Sequence, residues 1–167
     1  AITAEISAGI ILPNIFIPYD TPSTPKGYQR QKNEARISKL GKVLMTKNIN
    51  FPTSIVVNIR NEDAINFGEK GKFTYHPELH GELVVMDGQH RLLGMQYAIE
   101  NLDDQERINY LNSVEFTVTV TFTEDLLFEM QMFQDINDNA KPIPALNKVS
   151  LMLKRVGLSD RDLAEEM

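Results

Sequence analysis

Residues Glu82–Gly94 read ELVVMDGQHRLLG, and the interpretation of the whole chain starts from this stretch. The short apolar run Leu83–Met86 contains two adjacent valines and is typical of a buried β-strand. Gly88 follows, and glycine tolerates the positive φ that a sharp turn requires. From His90 onwards the apolar residues have helical spacing. The stretch therefore predicts a strand, a tight turn and a helix, with several polar side chains crowded at the turn.

The turn places cationic side chains where a helix disfavours them. The N-terminus of a helix carries partial positive charge and unpaired N–H groups, yet His90 and Arg91 fall in the predicted first helical turn. One interpretation is a structural ion pair between Arg91 and Asp87. The other is a bound phosphate, which both helix N-termini and arginine favour. The two interpretations can coexist, and the sequence leaves both open.

Length and composition limit the classes of protein. With 167 residues, 42% of them hydrophobic, the chain is long enough for one domain with a real core. It contains no cysteine, which excludes disulfides, thiolate nucleophiles and cysteine metal ligands. No apolar run reaches the roughly 18 residues that suggest a membrane span, and no secretory signal is visible. We therefore expect a cytoplasmic protein without membrane association.

Charge is distributed unevenly along the chain. The net charge of −6 argues against a broad nucleic-acid-binding face. Between Lys26 and Asn48, however, seven basic residues accompany a single acid, Glu34. One basic element on an acidic body can steer a polyanion to one place, although a solvated helix face without a partner is the alternative. The DNA-binding candidates in this segment are Arg30, Lys32, Arg36 and Lys39.

The remaining segments predict a small mixed sheet flanked by helices, an α/β (α+β) arrangement. Alternating apolar residues indicate half-buried strands, and apolar residues three and four apart indicate amphipathic helices. Before the central strand we expect a strand over Ile10–Ile17 broken at Pro13, a helix over Arg30–Asn48, a strand after Pro52 and a polar excursion over 60–80. After the central strand and helix we expect an irregular or weakly helical stretch over 103–112 and a strand over Phe116–Phe122. The last element is a helix from Thr123 that ends at Asn137 as a left-handed cap.

Two sequence blocks and the order of the elements carry a family resemblance. The first block is Asp87–Arg91, DGQHR, and the second is Phe133–Asn137, FQDIN, followed by Ala140–Pro142, AKP. Over Ile6–Leu153 the chain resembles the DGQHR-domain family, whose best-known member is DndB, a regulator linked to phosphorothioate DNA modification. The family is similar to ParB and sulfiredoxin, in which the equivalent turn handles nucleotide phosphates.

The resemblance implies a domain organisation as well as a fold. Residues 1–141 would form a DGQHR/ParB-like α/β domain with a small mixed sheet between helices. Residues 142–167 would be the beginning of a C-terminal helical region, which we expect to be truncated.

The turn departs from both related patterns. Gln89 stands where sulfiredoxin has a cysteine and where ParB has a glutamate, and His90 stands where ParB has an arginine. A chain without cysteine cannot repair a sulfinic acid through a thiolate. The missing glutamate puts ParB-like nucleotide hydrolysis in doubt, because an amide neither acts as a base nor brings a negative charge to Mg²⁺.

The first functional hypothesis follows from the resemblance. It is a DNA-associated regulator, for example of transcription, or an accessory factor of a DNA-modification (phosphorothioation-type) or defence system. Its partners would be DNA, a nucleotide such as ATP with Mg²⁺, and other proteins of that system. A phosphate of the nucleotide or of DNA would lie at the turn. The residues expected to contact this phosphate are Gly88, Gln89, His90, Arg91, Asn137, Asn139 and Lys141.

Two other classes of function stay open. The chain could be an enzyme, a metal-dependent nuclease or an NTP hydrolase, in which Asp87 binds Mg²⁺, His90 acts as general acid or base and Arg91 stabilises phosphoryl charge. One carboxylate is thin support for that scheme, since Mg²⁺ is usually held by one or two carboxylates plus substrate phosphates. The third hypothesis is a non-catalytic protein-interaction domain in which the turn is a structural ion pair.

Overall fold

A five-stranded mixed sheet forms the centre of the computed structural model, which describes residues 1–24, 26–66 and 73–140. The strands are β1 (Ile2–Ser7), β2 (Ile15–Phe16), β3 (Ile55–Ile59), β4 (Leu83–Asp87) and β5 (Glu115–Phe122). Their order across the sheet is β1-β5-β3-β4-β2. β1 is antiparallel to β5 and β3 to β4, whereas β3 runs parallel to β5 and β2 parallel to β4. The predicted α/β fold with a small mixed sheet is confirmed.

Six α-helices accompany the sheet in the ranges given above. They are α1 (Ala8–Ile11), α2 (Glu34–Thr46), α3 (Pro77–His80), α4 (Gln89–Glu100), α5 (Gln105–Ser113) and α6 (Leu126–Ala140). Two short 3₁₀ turns cover Leu12–Asn14 and Glu62–Asn66. None of the helices described is long and apolar enough to cross a membrane.

One face of the sheet carries the main hydrophobic core. Successive side chains of a strand point to opposite faces, and β3 accordingly turns Ile55, Val57 and Ile59 towards this core, all fully buried. Leu92 and Met95 of α4 pack into the same cluster. The apolar residues that the sequence pattern identifies in β3 and α4 are therefore the ones that both elements bury in the shared core.

Helices α2 and α4 cross closely at two glycines. A Cβ atom at Gly41 would overlap the ring of Tyr97, and one at Gly94 would lie 2.8 Å from Leu40 Cδ2. A glycine inside a helix costs about 1 kcal/mol relative to alanine. Position 41 nevertheless requires glycine, because no side chain fits between the two helices there.

The opposite face of the sheet is fixed by a buried carboxylate. Glu129 of α6 is 1% exposed and accepts two hydrogen bonds from Arg60, from Nε to Oε1 (2.9 Å) and from Nη2 to Oε2 (2.7 Å). Asn58 of β3 donates to Glu129 Oε1 (2.8 Å), and the Tyr28 hydroxyl donates to Oε2 (2.7 Å). One side chain thus joins α6, β3 and the segment that precedes α2.

The hydrogen bonds keep this carboxylate ionised. Burial alone would raise the pKa of Glu129, but the hydrogen bonds from Arg60, Tyr28 and Asn58 bring the pKa below its ordinary value. Burial and the neighbouring carboxylate together raise the pKa of Tyr28, which favours the protonated hydroxyl that donates to Glu129.

Two expectations about the elements are wrong. Ile10–Ile17 is not a broken strand, because α1 and the 3₁₀ turn occupy its first part and only the two residues of β2 are extended. Pro13 lies in the first turn of the 3₁₀ segment, where its missing N–H costs nothing. Asn137 does not end the last helix, since α6 continues to Ala140 and Asn137 Nδ2 donates to Phe133 O (2.9 Å).

Two further regions differ from the sequence-based expectation. The stretch over 103–112, expected to be irregular or weakly helical, contains the regular helix α5, whose first N–H groups are capped by the Asp104 side chain. Strand β1, which pairs with β5 along its whole length, was not anticipated. The predicted helical region over 142–167 lies outside the residues that the structure describes.

Replacing Glu129 by glutamine should destabilise the protein in a pH-dependent way. At neutral pH we expect the free energy of unfolding to fall by about 1–3 kcal/mol, because the charge-assisted hydrogen bonds from a partly exposed Arg60 are lost. The folded-state pKa of Glu129 is depressed. Its contribution is therefore complete above the ordinary pKa of 4.5 and disappears as the pH falls through the folded-state pKa. Urea denaturation of Glu129→Gln and the parent between pH 7 and pH 3 measures this difference.

The matched control is Glu124→Gln, which changes an exposed glutamate shortly before α6. It should leave the pH dependence of unfolding close to that of the parent. A difference between Glu129→Gln and the parent that stays constant down to the most acidic pH would contradict the assignment of an ionised, paired Glu129.

Candidate functional site at the Asp87–Arg91 turn

The Asp87–Arg91 turn lies where β4 ends and α4 begins. Asp87 is the last residue of β4, and Gly88 is the N-cap of α4 with φ 102° and ψ 13°. A Cβ atom at this glycine would overlap the Ile55 side chain, so both the backbone conformation and the available space require glycine. The first hydrogen bond of the helix runs from Leu92 N to Gly88 O (3.0 Å). The three N–H groups between them precede the helical ladder, which is the arrangement that favours an anion.

Arg91 is surrounded by acceptors of its own chain. Nη1 donates to Thr53 O (2.7 Å) and Thr53 Oγ1 (2.8 Å), and Nη2 donates to Ser54 O (3.3 Å). Nη2 also lies 3.6 Å from Asp87 Oδ2. The structural ion pair anticipated for Asp87 and Arg91 is therefore present, and Arg91 additionally ties the segment before β3 to the start of α4.

The carboxylate is the more accessible member of the pair. The Asp87 side chain is 45% exposed, compared with 18% for Arg91. In the described ranges, no three His, Cys, Asp or Glu side chains are grouped closely enough to hold a metal ion. Mg²⁺ is commonly held by one or two carboxylates together with substrate phosphates, and a metal at Asp87 stays a prediction.

Gln89 and His90 are half-buried at the start of α4. The Gln89 side chain lies against the Tyr19 hydroxyl. Burial raises the pKa of Tyr19, and the contact with Gln89 partly offsets that rise. The signature turn therefore touches the loop that follows β2.

The same loop is attached to the central strand. Gln29 is buried, and its Nε2 donates to Val85 O of β4 (2.6 Å). The backbone of Tyr19 forms a parallel bridge with Gln29. Because Arg30 follows Gln29 directly, the first of the DNA-binding candidates lies at a fixed point beside β4.

The four DNA-binding candidates of the basic segment are all exposed: Arg30, Lys32, Arg36 and Lys39. Asn33 caps α2 by accepting from Arg36 N (3.1 Å). The buried residues of the helix are Ile37, Gly41 and Leu44. Since a helix turns by about 100° per residue, Lys39 lies on the side opposite to these three. The predicted amphipathic helix is confirmed, but it begins at Glu34 and ends at Thr46, so Arg30 and Lys32 precede it. Contact of the four residues with DNA stays a prediction.

The structure describes only part of the candidate set at the end of α6. Asn137 is half-buried, with its amide bound to its own helix. Asn139 belongs to α6, but its side chain and Lys141 lie outside the described part of the chain. The expected contact of Asn137, Asn139 and Lys141 with a ligand at the turn therefore stays a prediction.

Sequence reasoning missed the partners that fix the turn. Thr53 and Ser54 hold Arg91 mainly through backbone carbonyls, which no side-chain pattern signals. Tyr19 and Gln29 were assigned no role from the sequence. A usable signal was the arginine in the first turn of a helix, because such a cation needs several acceptors nearby.

The fold and the turn together define an α/β domain with a strand–turn–helix signature. The chain matches the family model described as "DndB: DNA-sulfur modification-associated" over residues 5–149, and it belongs to this family. The resemblance drawn from the DGQHR block is thus confirmed.

A distant structural likeness accompanies this match. The chain is similar to the C-terminally truncated chromosome-partitioning protein ParB from Caulobacter crescentus, solved in complex with CTP-gamma-S, with 14% identity and a TM-score of 0.45 over 95% of this chain and 73% of that chain. At this similarity the likeness carries no argument about function. A comparison with curated proteins gave no match.

Replacing Arg91 by alanine should destabilise the fold. The variant loses an ion pair and three hydrogen bonds from a charged donor, and we expect the free energy of unfolding to fall by about 2 kcal/mol. For a chain of this size, that corresponds to a decrease of about 4–8 °C in melting temperature. Thermal unfolding followed by circular dichroism measures the change.

Arg36→Ala is the matched control, because it removes an exposed arginine from α2 and should change the stability by about 0.5 kcal/mol or less. Equal melting temperatures for Arg91→Ala and Arg36→Ala would show that the Arg91 clamp does not stabilise the fold.

Proposed function

We propose that the chain is a DNA-associated regulator or accessory factor of a phosphorothioation-type DNA-modification system or a related defence system. Membership of the DNA-sulfur modification-associated family carries this proposal. The matched residues 5–149 include both the Asp87–Arg91 turn and the basic helix α2. Two surfaces would act together: the turn binds a phosphate, and α2 contacts the DNA backbone.

At the turn, a phosphate of a nucleotide or of DNA would accept hydrogen bonds from the N–H groups that precede the helical ladder of α4. Arg91 is already engaged by Thr53 and Ser54, so it would contribute charge rather than a free fork of donors. Asp87 is half-exposed at the same place and would repel a phosphate. A divalent cation between the carboxylate and the phosphate removes this repulsion, and we therefore favour Mg²⁺-dependent binding.

Isothermal titration with ATP, in Mg²⁺ and in EDTA, tests this arrangement. We expect the parent to bind only in Mg²⁺. Asp87→Asn removes the repelling charge and one metal ligand, so its affinity for ATP should depend much less on Mg²⁺. Asp103→Asn, an exposed aspartate between α4 and α5, should behave like the parent.

The outcomes separate the alternatives. Equal binding in Mg²⁺ and EDTA would contradict the bridging cation. Absence of binding at millimolar ATP would exclude ATP as the ligand and leave a DNA phosphate or a purely structural ion pair. Where binding is found, phosphate release distinguishes an NTP hydrolase from a sensor.

On α2, the exposed cations would contact successive phosphates of DNA. Fluorescence anisotropy with a labelled duplex over a range of salt concentrations measures this contribution. For Arg36→Gln/Lys39→Gln we expect weaker binding at low salt. We also expect the slope of log K against log[salt] to be reduced by about 2, because two phosphate contacts are lost.

Lys47→Gln is the control for a general charge effect, since Lys47 is exposed at the other end of α2. It should change the affinity less than the double variant and leave the salt slope nearly unchanged. Unchanged affinity of the double variant at low salt would eliminate α2 as the DNA-binding surface.

A further inference from the structure

A cleft lies between the edge strand β2 with its following loop and the start of α6. Its volume is about 680 Å³, within the range of small-molecule sites. Most of its lining is apolar or aromatic, from Phe16, Ile17, Pro18, Tyr19 and Leu126. None of the residues of the Asp87–Arg91 turn lines this cleft.

Both charged residues that line the cleft are cations, Lys26 and Arg60. Arg60 is held in one orientation, because Nε and Nη2 are bound to Glu129 and its guanidinium carbon lies 5.5 Å from the centroid of the Phe16 ring. The Arg60 side chain is 37% exposed, whereas its partner Glu129 is 1% exposed and does not line the cleft. A ligand in the cleft would therefore meet the cation of the pair and not the carboxylate.

The loop that closes the cleft is also constrained. Thr24 Oγ1 donates to Tyr19 O (2.8 Å). A Cβ atom at Gly27 would overlap the carbonyl of Tyr19. The loop thus folds back on itself and keeps Pro18 and Tyr19 on one wall of the cleft. Such preorganisation lowers the entropic cost of binding.

We infer that this cleft binds a small amphipathic anion, an aromatic acid with a flat apolar body and one carboxylate or sulfonate group. The body would pack against Phe16, Pro18 and Leu126, since aromatic rings prefer stacked or edge-to-face neighbours. The anionic group would lie between Arg60 and Lys26, where charge-assisted hydrogen bonds are available. The Tyr19 wall of the cleft also contacts Gln89, so an occupant would touch a residue that touches the signature turn.

The probe for this site is 8-anilinonaphthalene-1-sulfonate, an aromatic sulfonate that fluoresces in apolar surroundings. Titration of the folded protein should give saturable binding at one site. The uncharged analogue N-phenyl-1-naphthylamine has the same aromatic body without the sulfonate. It should bind about tenfold more weakly or worse, because the charge-assisted hydrogen bonds are absent.

Variants of the lining locate the bound probe. Phe16→Ala, at a partly exposed position, and Lys26→Gln should each weaken binding of the sulfonate several-fold, and Arg60→Gln by about tenfold or more. Arg60→Gln also disturbs the Glu129 network, so the result depends on Phe16→Ala and Lys26→Gln. Both keep the hydrogen bonds between Arg60 and Glu129, although Phe16→Ala removes the ring beside the Arg60 guanidinium. Phe128→Ala is the control, because Phe128 is more exposed than Phe16 and does not line the cleft.

Three results would overturn the inference. The first is equal affinity for the charged and uncharged probes. The second is unchanged binding in both Phe16→Ala and Lys26→Gln, or loss of binding in Phe128→Ala. The third is complete displacement of the probe by Mg²⁺ and ATP, which would make the cleft part of a nucleotide site rather than a separate site for an aromatic acid.

Discussion

The guanidinium of Arg91 lies at the positive end of α4, and the fold surrounds it with negative and partly negative groups. The Asp87 carboxylate and the carbonyl oxygens of Thr53 and Ser54 come from two different parts of the chain. Without them, the cation would be placed against the helix dipole without compensation. The geometry of the signature turn therefore depends on a contact between the end of β4 and the approach to β3, not on the turn residues alone.

The two faces of the sheet are held by different kinds of force. On one face, the interior residues of β3, β4 and β5 are removed from water together with those of α4 and α5. On the other, Glu129 accepts hydrogen bonds from three residues in two separate segments, Tyr28 before α2 and Asn58 and Arg60 at β3. A buried ion pair adds little net stability compared with well-packed apolar residues. Its effect here is directional, because only one position of α6 satisfies Arg60, Asn58 and Tyr28 at once.

The elements recovered from the sequence are those whose signals are local. The run Leu83–Met86 with its glycine and the alternation of Phe116–Phe122 each specify an element over less than ten residues, and the structure contains both strands. Strand β1 was missed because its pairing with β5 joins residues more than a hundred positions apart. The Glu129 network has the same character, since Tyr28 and Glu129 are separated by 101 residues.

The same division applies to the candidate site. The position of the Asp87–Arg91 turn was predicted, because it rests on a contiguous motif. The acceptors of Arg91 were not, because they are mostly backbone atoms. Asn137 was assigned as a cap from its residue type, whereas the helix continues through it to Ala140 and its side-chain amide bonds to the carbonyl one turn earlier.

The close crossing of α2 and α4 has a mechanical consequence. At Gly41 and Gly94 each helix lies against the side chains of the other without a Cβ in between. Sliding α2 along α4 by one helical turn, about 5.4 Å, would bring a residue with a side chain against the Tyr97 ring. Small residues at the crossing thus oppose sliding of one helix along the other. The close crossing thus connects the basic surface of α2 to the helix that starts at the Asp87–Arg91 turn, and we expect a displacement of one helix to displace the other as well.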